Sequence, residues 1–62
     1  MIRENRLKNQ LTQEELAEKL DISWRHLQRL EYHEENTTVR TLKKIIQVLN
    51  ISDEEILRYL KS

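Results

Sequence analysis

The chain has 62 residues, the length of one small domain (residues 1–62), and its eleven basic and eleven acidic side chains give a formal net charge of zero. Zero net charge excludes a generic polycation, so any attraction for nucleic acid must come from charges gathered on one part of the surface. Cysteine is absent, which excludes disulfides and thiolate metal sites, and no apolar run approaches the roughly 20 residues of a membrane span.

Two helices are predicted in the first third of the chain. The first, weakly amphipathic helix covers about residues 2–9 and carries Ile2, Arg6 and Asn9 on one side. A second helix, TQEELAEKL, begins at a capping box formed by Thr12 and Glu15. The apolar stripe of this second helix consists of Leu16, Ala17 and Leu20.

The third predicted helix begins after Ser23, whose hydroxyl suits an N-cap. Only Asp21 and Ile22 precede this cap after the second helix, too few residues for an antiparallel pair, so the two helices must cross steeply, as in a helix-turn-helix. The inward-pointing residues of the third helix are Leu27 and Leu30. Its opposite arc carries Arg25, Gln28, Arg29 and Tyr32, with Trp24 at the margin and His26 on the other flank.

Two further helices complete an all-α prediction, since no segment shows the alternation of a strand. Thr38 caps the fourth helix, VRTLKKIIQVLN, and a second capping box of Ser52 and Glu55 begins the fifth, DEEILRYLKS. The apolar face of the fourth helix is predicted to contain Val39, Leu42, Ile46 and Leu49, opposite Arg40, Lys43, Lys44 and Gln47. The stripe of the fifth consists of Ile56, Leu57 and Leu60.

The side chains on the outward arc of the third helix suit the major groove of DNA. Arginine presents a bidentate fork to guanine, glutamine matches the adenine edge, and an aromatic ring covers a thymine methyl or a sugar. Two simpler interpretations stay open at this point. The arginines and Gln28 are then ordinary solvated residues, and Trp24 lays its ring over a neighbouring helix to shield the core.

Glu31 is the one charged residue on the inward side of the third helix. An unpaired carboxylate beside Leu27 would carry a serious desolvation cost, so Glu31 needs a cationic partner. Arg6 is the only basic residue on the buried side of the first helix. We therefore expect an Arg6–Glu31 ion pair that ties the first helix to the third.

The segment LTQEELAEKLDISWRHLQRLE, followed by TTVRTLKKIIQVLNIS, resembles the Cro/C1-type helix-turn-helix family of phage repressors and bacterial xenobiotic-response-element-like regulators. The resemblance covers almost the entire chain. It implies a compact five-helix bundle of the lambda-repressor-like type, with the helix-turn-helix in helices 2 and 3, and it also implies the ion pair of Arg6 and Glu31. The residues that it assigns to DNA contact are Gln13, Ser23, Trp24, Arg25, Gln28, Arg29, Thr37, Thr38 and Arg40.

Two departures from the family pattern bear on stability and binding. Where the family favours glycine at helix ends, this chain has Gln10, Asp21 and Asn50, of which glutamine tolerates the left-handed conformation least. After the third helix the chain reads YHEENTT, so Glu34 and Glu35 are expected near a DNA phosphate, where their charges would weaken binding.

We expect a soluble, cytoplasmic, sequence-specific regulator of transcription, a repressor, that binds an operator in double-stranded DNA. A homodimer through the C-terminal helix, where Leu57, Tyr59 and Leu60 offer more apolar surface than one small core needs, would contact two half-sites. The simpler interpretation is that Ile56, Leu57 and Leu60 complete the core. The alternative is a protein-interaction module, antitoxin-like or anti-repressor, that keeps the scaffold without the DNA contacts. No enzymatic activity, cofactor or metal is expected, since the chain lacks cysteine, a glycine-rich loop and a nucleophile triad, and two histidines seldom suffice for a metal.

Overall fold

A computed structural model describes residues 1–62 and contains five α-helices and one short 3-10 turn. The all-α prediction is confirmed, and each predicted helix is present within a residue or two of its expected bounds. None of the helices is both long enough and apolar enough to cross a membrane. The elements in chain order are α1 (Ile2–Lys8), α2 (Gln13–Leu20), α3 (Trp24–Tyr32), the 3-10 turn (Glu34–Asn36), α4 (Val39–Leu49) and α5 (Asp53–Lys61).

Hydroxyl side chains begin four of the five helices. The hydroxyls of Thr12, Ser23, Thr38 and Ser52 each accept the backbone N–H three residues ahead. The predicted capping box at α2 is complete, because the Glu15 carboxylate accepts the Thr12 backbone N–H at 2.9 Å. The second predicted box is only half formed. The Ser52 hydroxyl accepts the Glu55 N–H, but the Glu55 carboxylate turns to the buried amide of Asn5, which donates at 2.6 Å.

Three helix ends use the left-handed conformation without glycine. The φ angles of Gln10, Asp21 and Asn50 are 58°, 58° and 53°. Asparagine and aspartate tolerate this region because their short polar side chains bond locally, whereas the Cβ of glutamine carries the full steric cost. The positions that the family pattern gives to glycine therefore keep their backbone geometry here.

The core lies where α2 packs between α3 and α4, with α1 contacting α3 and α4 from one side. Fully enclosed side chains come from α1, α2, α3 and α4, whereas α5 contributes none. The buried apolar residues are Ile2, Leu16, Ala17, Leu20, Leu27, Leu30, Ile45, Leu49 and Ile51.

The predicted apolar faces of α4 and α5 need correction. Ile45 is fully buried, whereas Val39 is 69% exposed. The inward arc of α4 is centred between Ile45 and Leu49, which leaves Val39 about 100° away from it on the helix wheel. On α5, Ile56 packs against the core, but Leu57 and Leu60 are 54% and 63% exposed.

Candidate nucleic-acid interface

The third helix is held to the fold by the two leucines predicted to point inward. Leu27 is 0% and Leu30 is 4% exposed, and both belong to the core. The Ser23 hydroxyl fixes the start of the helix by accepting the His26 N–H at 3.1 Å. Apart from the Glu31 side chain, which is enclosed against the first helix, the rest of the circumference of α3 is open to solvent or to a ligand.

We call the exposed face of α3 the outer arc, defined by Trp24, Arg25, Gln28, Arg29 and Tyr32. All five side chains are exposed, and the two aromatic ones are 49% (Trp24) and 85% (Tyr32) exposed. Neither arginine of the outer arc forms an ion pair or a side-chain hydrogen bond within the protein, so both guanidinium groups keep all their donors free.

On the flank of α3 between Leu27 and Trp24, Glu31 forms a bidentate ion pair with Arg6. The Arg6 Nε donates to Glu31 Oε2 at 2.7 Å, and Nη2 donates to Oε1 at 3.2 Å. The third contact of the guanidinium, through Nη1, is with the Leu11 carbonyl at 2.9 Å. The two side chains are 9% and 5% exposed, so the pair is shielded from water. It links α1, the loop before α2 and α3.

Gln13 connects this ion pair to the outer arc. Its Nε2 donates to Glu31 Oε1 at 3.1 Å, and its Oε1 accepts the Trp24 indole N–H at 3.0 Å. The Gln28 amide donates to the same Oε1 at a longer 3.5 Å. The geometry leaves one Gln13 amide hydrogen free. Three of the residues predicted to contact DNA are thus gathered around one side-chain amide.

An open groove lies beside this amide, between α3 and the start of α2. Four residues that the sequence did not assign to DNA contact or to the ion pair help to line it: Arg3, Thr12, Glu14 and Tyr32. Tyr32 could have been predicted, because it follows Gln28 by four residues and so lies on the same face of α3. No pattern in the sequence indicated Arg3. The groove is lined by Arg3, Arg6, Thr12, Gln13, Glu14, Trp24, Gln28, Glu31 and Tyr32.

The other residues predicted to contact DNA lie at the start of α4. Thr38 uses its hydroxyl to cap the helix, while Arg40 is exposed. Thr37 is half-buried, and its hydroxyl oxygen is buried without a hydrogen-bond partner. No side-chain hydrogen bond joins these residues to the outer arc. They form a second group of candidate contacts.

Glu34, expected to face a DNA phosphate, instead turns towards the first helix. Its carboxylate accepts the Ile2 backbone N–H at 2.7 Å and pairs with the Met1 ammonium at 3.0 Å. Burial lowers the pKa of this ammonium, but its hydrogen bonds to Glu4 and Glu34 outweigh burial and raise the pKa above 8.0. Burial, followed by the charge of Glu34, also raises the pKa of Tyr59. The expected repulsion from Glu34 is therefore largely cancelled.

Charge is segregated despite the zero total. Glu31 and Glu34 are both paired inside the fold, so the only freely exposed carboxylate between α3 and α4 is Glu35, at 71% beside His33. The exposed basic side chains of the same stretch are Arg25, Arg29, Arg40, Lys43 and Lys44. A surface of this kind attracts phosphate locally even in a neutral protein.

Comparison with known proteins gives one match. A protein-family model described as helix-turn-helix, of the Cro/C1 type, matches residues 2–56. That span runs from the start of α1 into α5 and includes α2 and α3 with the short turn between them. No curated protein and no solved structure matches the chain.

Proposed function

Because the chain belongs to the Cro/C1-type helix-turn-helix family of DNA-binding regulators, we propose that it is a sequence-specific transcriptional repressor that inserts α3 into the major groove of double-stranded DNA. In helix-turn-helix proteins the second helix of the motif enters this groove and the first crosses the backbone. Here those helices are α3 and α2. The proposal covers residues 1–62 as one DNA-binding domain.

One observation carries the proposal. The outer arc presents two guanidinium groups without internal partners, although the same helix buries its leucines and pairs its only carboxylate. A free arginine fork is the side chain best suited to guanine in the major groove, where it donates to O6 and N7. We assign Arg25 and Arg29 to base edges or the phosphates beside them.

The remaining candidate contacts divide between bases and phosphates. Gln28 is assigned to an adenine edge, because its 3.5 Å hydrogen bond to Gln13 is long enough to be exchanged for a base. Phosphate contacts position the protein without specifying sequence. We assign Gln13, Ser23, Thr38 and Arg40 to that role, with Lys43 and Lys44 adding charge. Thr37 joins them only if its buried hydroxyl turns outward when DNA binds.

We also infer a homodimer through α5. Leu57 and Leu60 stay exposed on this helix, in a protein whose other leucines mostly enter the core. A two-fold dimer would set two copies of α3 on half-sites about one helical turn of DNA apart. Two half-sites compensate for the small contact area of a single α3.

The alternative, a protein-interaction module without DNA contacts, was motivated by zero net charge and by Glu34 and Glu35. The structure gives less support to both arguments. Glu34 is paired inside the fold, and the exposed charged residues from α3 to α4 are mostly basic. The alternative predicts no sequence-dependent or salt-dependent binding to a duplex, so one experiment separates the two functions.

That experiment begins with selection of duplexes from a random pool, followed by titration of the best duplex and a scrambled one at several salt concentrations. The regulator binds the selected duplex more tightly, and its affinity falls steeply with salt. Pairing of all five exposed basic side chains with phosphate would give a slope of about −4 to −5 per protomer in log K against log salt. Absent or sequence-blind binding would leave the interaction module as the better proposal.

A further inference from the structure

Trp24 occupies the first position of α3, where helix-turn-helix proteins bring side chains closest to base edges. Tryptophan has a single polar hydrogen, on Nε1. That hydrogen is already donated to Gln13 Oε1 at 3.0 Å. The rest of the ring is hydrocarbon, and the side chain is half exposed. Trp24 therefore has no polar group left for a base, but it offers an apolar surface.

The ring is fixed in this orientation by a chain of hydrogen bonds that ends in the buried ion pair. Glu31 accepts from both Arg6 and Gln13, which fixes the Gln13 Nε2 on the side of Glu31. The Gln13 Oε1 must then face Trp24. Flipping this amide would place its oxygen against a carboxylate and its NH₂ against an indole N–H, so both contacts would become repulsive.

The major groove offers one apolar group at a base edge, the C5-methyl of thymine. We propose that Trp24 is a specificity-determining residue that packs its ring on the C5-methyl group of one thymine in each half-site. The inference rests on the proposed function and deepens it, because it names a chemical feature of the operator. Arg25, Arg29 and Gln28 supply the polar part of the recognition, and Trp24 supplies the apolar part.

The test uses the selected operator in which each thymine is replaced in turn by deoxyuridine, which removes the C5-methyl and keeps every hydrogen-bonding group. All titrations are made at one salt concentration, because salt alone changes the affinity. At one thymine position per half-site, we expect wild-type affinity to fall about fourfold, the equivalent of about 0.8 kcal/mol for one buried methyl-sized group. The Trp24→Ala variant should bind the thymine and deoxyuridine duplexes equally.

Matched variants make the assignment specific. Arg25→Ala should bind more weakly and still distinguish thymine from deoxyuridine at the same position. Thermal unfolding shows whether Trp24→Ala is folded. If it is not, Trp24→Gln replaces it, because glutamine keeps a longer side chain and an N–H donor for Gln13 Oε1 without an aromatic ring. Trp24→Gln should likewise lose the discrimination.

The outcomes separate this inference from the proposed function. Sequence-specific binding with no thymine position sensitive to deoxyuridine would overturn the role of Trp24 and leave the regulator intact. A sensitive position that stays sensitive in both Trp24 variants would assign the methyl to another residue and overturn the inference as well. If no duplex is bound specifically, the proposed function fails first, and the role of Trp24 fails with it.

Discussion

The two sides of α3 differ in how completely their polar groups are partnered. On the inner side, Glu31 accepts two hydrogen bonds from Arg6 and one from Gln13. On the outer arc, Arg25 and Arg29 have no partner in the protein. Both sides carry charge, so the presence of a charged residue alone does not distinguish them.

The difference separates charges that build the fold from charges available to a ligand. A buried carboxylate without a partner would destabilise the protein, so the inner side must be satisfied internally. An exposed arginine costs little to leave free, and its forked donors remain available to a base or a phosphate. Gln13 belongs to both sides, because it bonds Glu31 through Nε2 and Trp24 through Oε1.

The largest effect should come from breaking the inner side. Arg6→Ala leaves Glu31 buried without its cation, and we expect a loss of about 3–5 kcal/mol in the free energy of unfolding. Urea denaturation measures the loss. Arg3→Ala, an exposed position on the same helix, is the matched control and should change stability by less than about 0.5 kcal/mol. Equal stability of the two variants would refute a structural role for the pair.

The outer arc should show the reverse behaviour. Arg25→Ala or Arg29→Ala should weaken binding to the selected operator by about 1–3 kcal/mol and leave the thermal unfolding midpoint nearly unchanged. Lys19→Ala on the exposed face of α2 provides the control for the loss of one positive charge. If an arginine variant lost equal affinity for scrambled DNA, that side chain would contact a phosphate and not a base.

Glu34 and Glu35 show the same contrast between a charge paired inside the fold and a charge left exposed. Glu34 accepts the Ile2 N–H and is 17% exposed, so Glu34→Ala should destabilise the fold by about 1–2 kcal/mol. Glu35 is 71% exposed, so Glu35→Ala should keep its stability within about 0.5 kcal/mol and bind DNA slightly more tightly at low salt. Denaturation and duplex titration of both variants check this. A larger stability loss for Glu35→Ala would contradict the assignment.

The smallest effect should be on the pH dependence of stability, through Glu15, whose exposed carboxylate caps the start of α2. The Thr12 backbone N–H, followed by the Thr12 hydroxyl, lowers the pKa of Glu15 below 4.5. A depressed pKa contributes stability above the unfolded-state pKa, and this contribution is lost as pH falls through the folded-state pKa. Glu15→Gln should therefore lose less stability than wild type when the pH is lowered from 6 to about 3. The unfolding midpoints of wild type and Glu15→Gln are measured in parallel between pH 6 and about 3. Equal decreases of the two midpoints would contradict a stabilising role for the Glu15 carboxylate.

Features set by neighbours in sequence could be predicted from the sequence. The hydroxyl caps depend on a residue and the backbone three positions ahead, and the position of the turn between α2 and α3 follows from Asp21, Ile22 and the Ser23 cap. Leu27 and Leu30 are three residues apart and so lie on the same face of the helix, and this apolar face is the one that the core buries. The family match, over residues 2–56, includes all of these features.

Features set by distant parts of the chain could not be predicted in the same way. Glu34 accepts a hydrogen bond from Ile2, 32 positions away in the sequence. Glu55 accepts from Asn5, 50 positions away, and not from the Ser52 backbone N–H as the capping box predicted. The inward face of α4 depends on where α2 lies, so the helix wheel alone placed Val39 wrongly.

The Arg6–Glu31 pair, 25 positions apart, was predictable because a buried carboxylate needs a cation and the first helix offers only one on its buried side. The partners of Glu34 and Glu55 are amide N–H groups and the terminal ammonium, and no such requirement singles them out. The assignment of single residues to DNA stays a prediction.

The central claim is that the outer arc of α3 meets the duplex, and backbone amide chemical shifts of the isotope-labelled protein test it most directly. On addition of the selected operator, the largest shift changes should fall on α3 and on the first turns of α2 and α4. Changes confined to α1 and α5, with the Trp24 indole signal unmoved, would contradict the account.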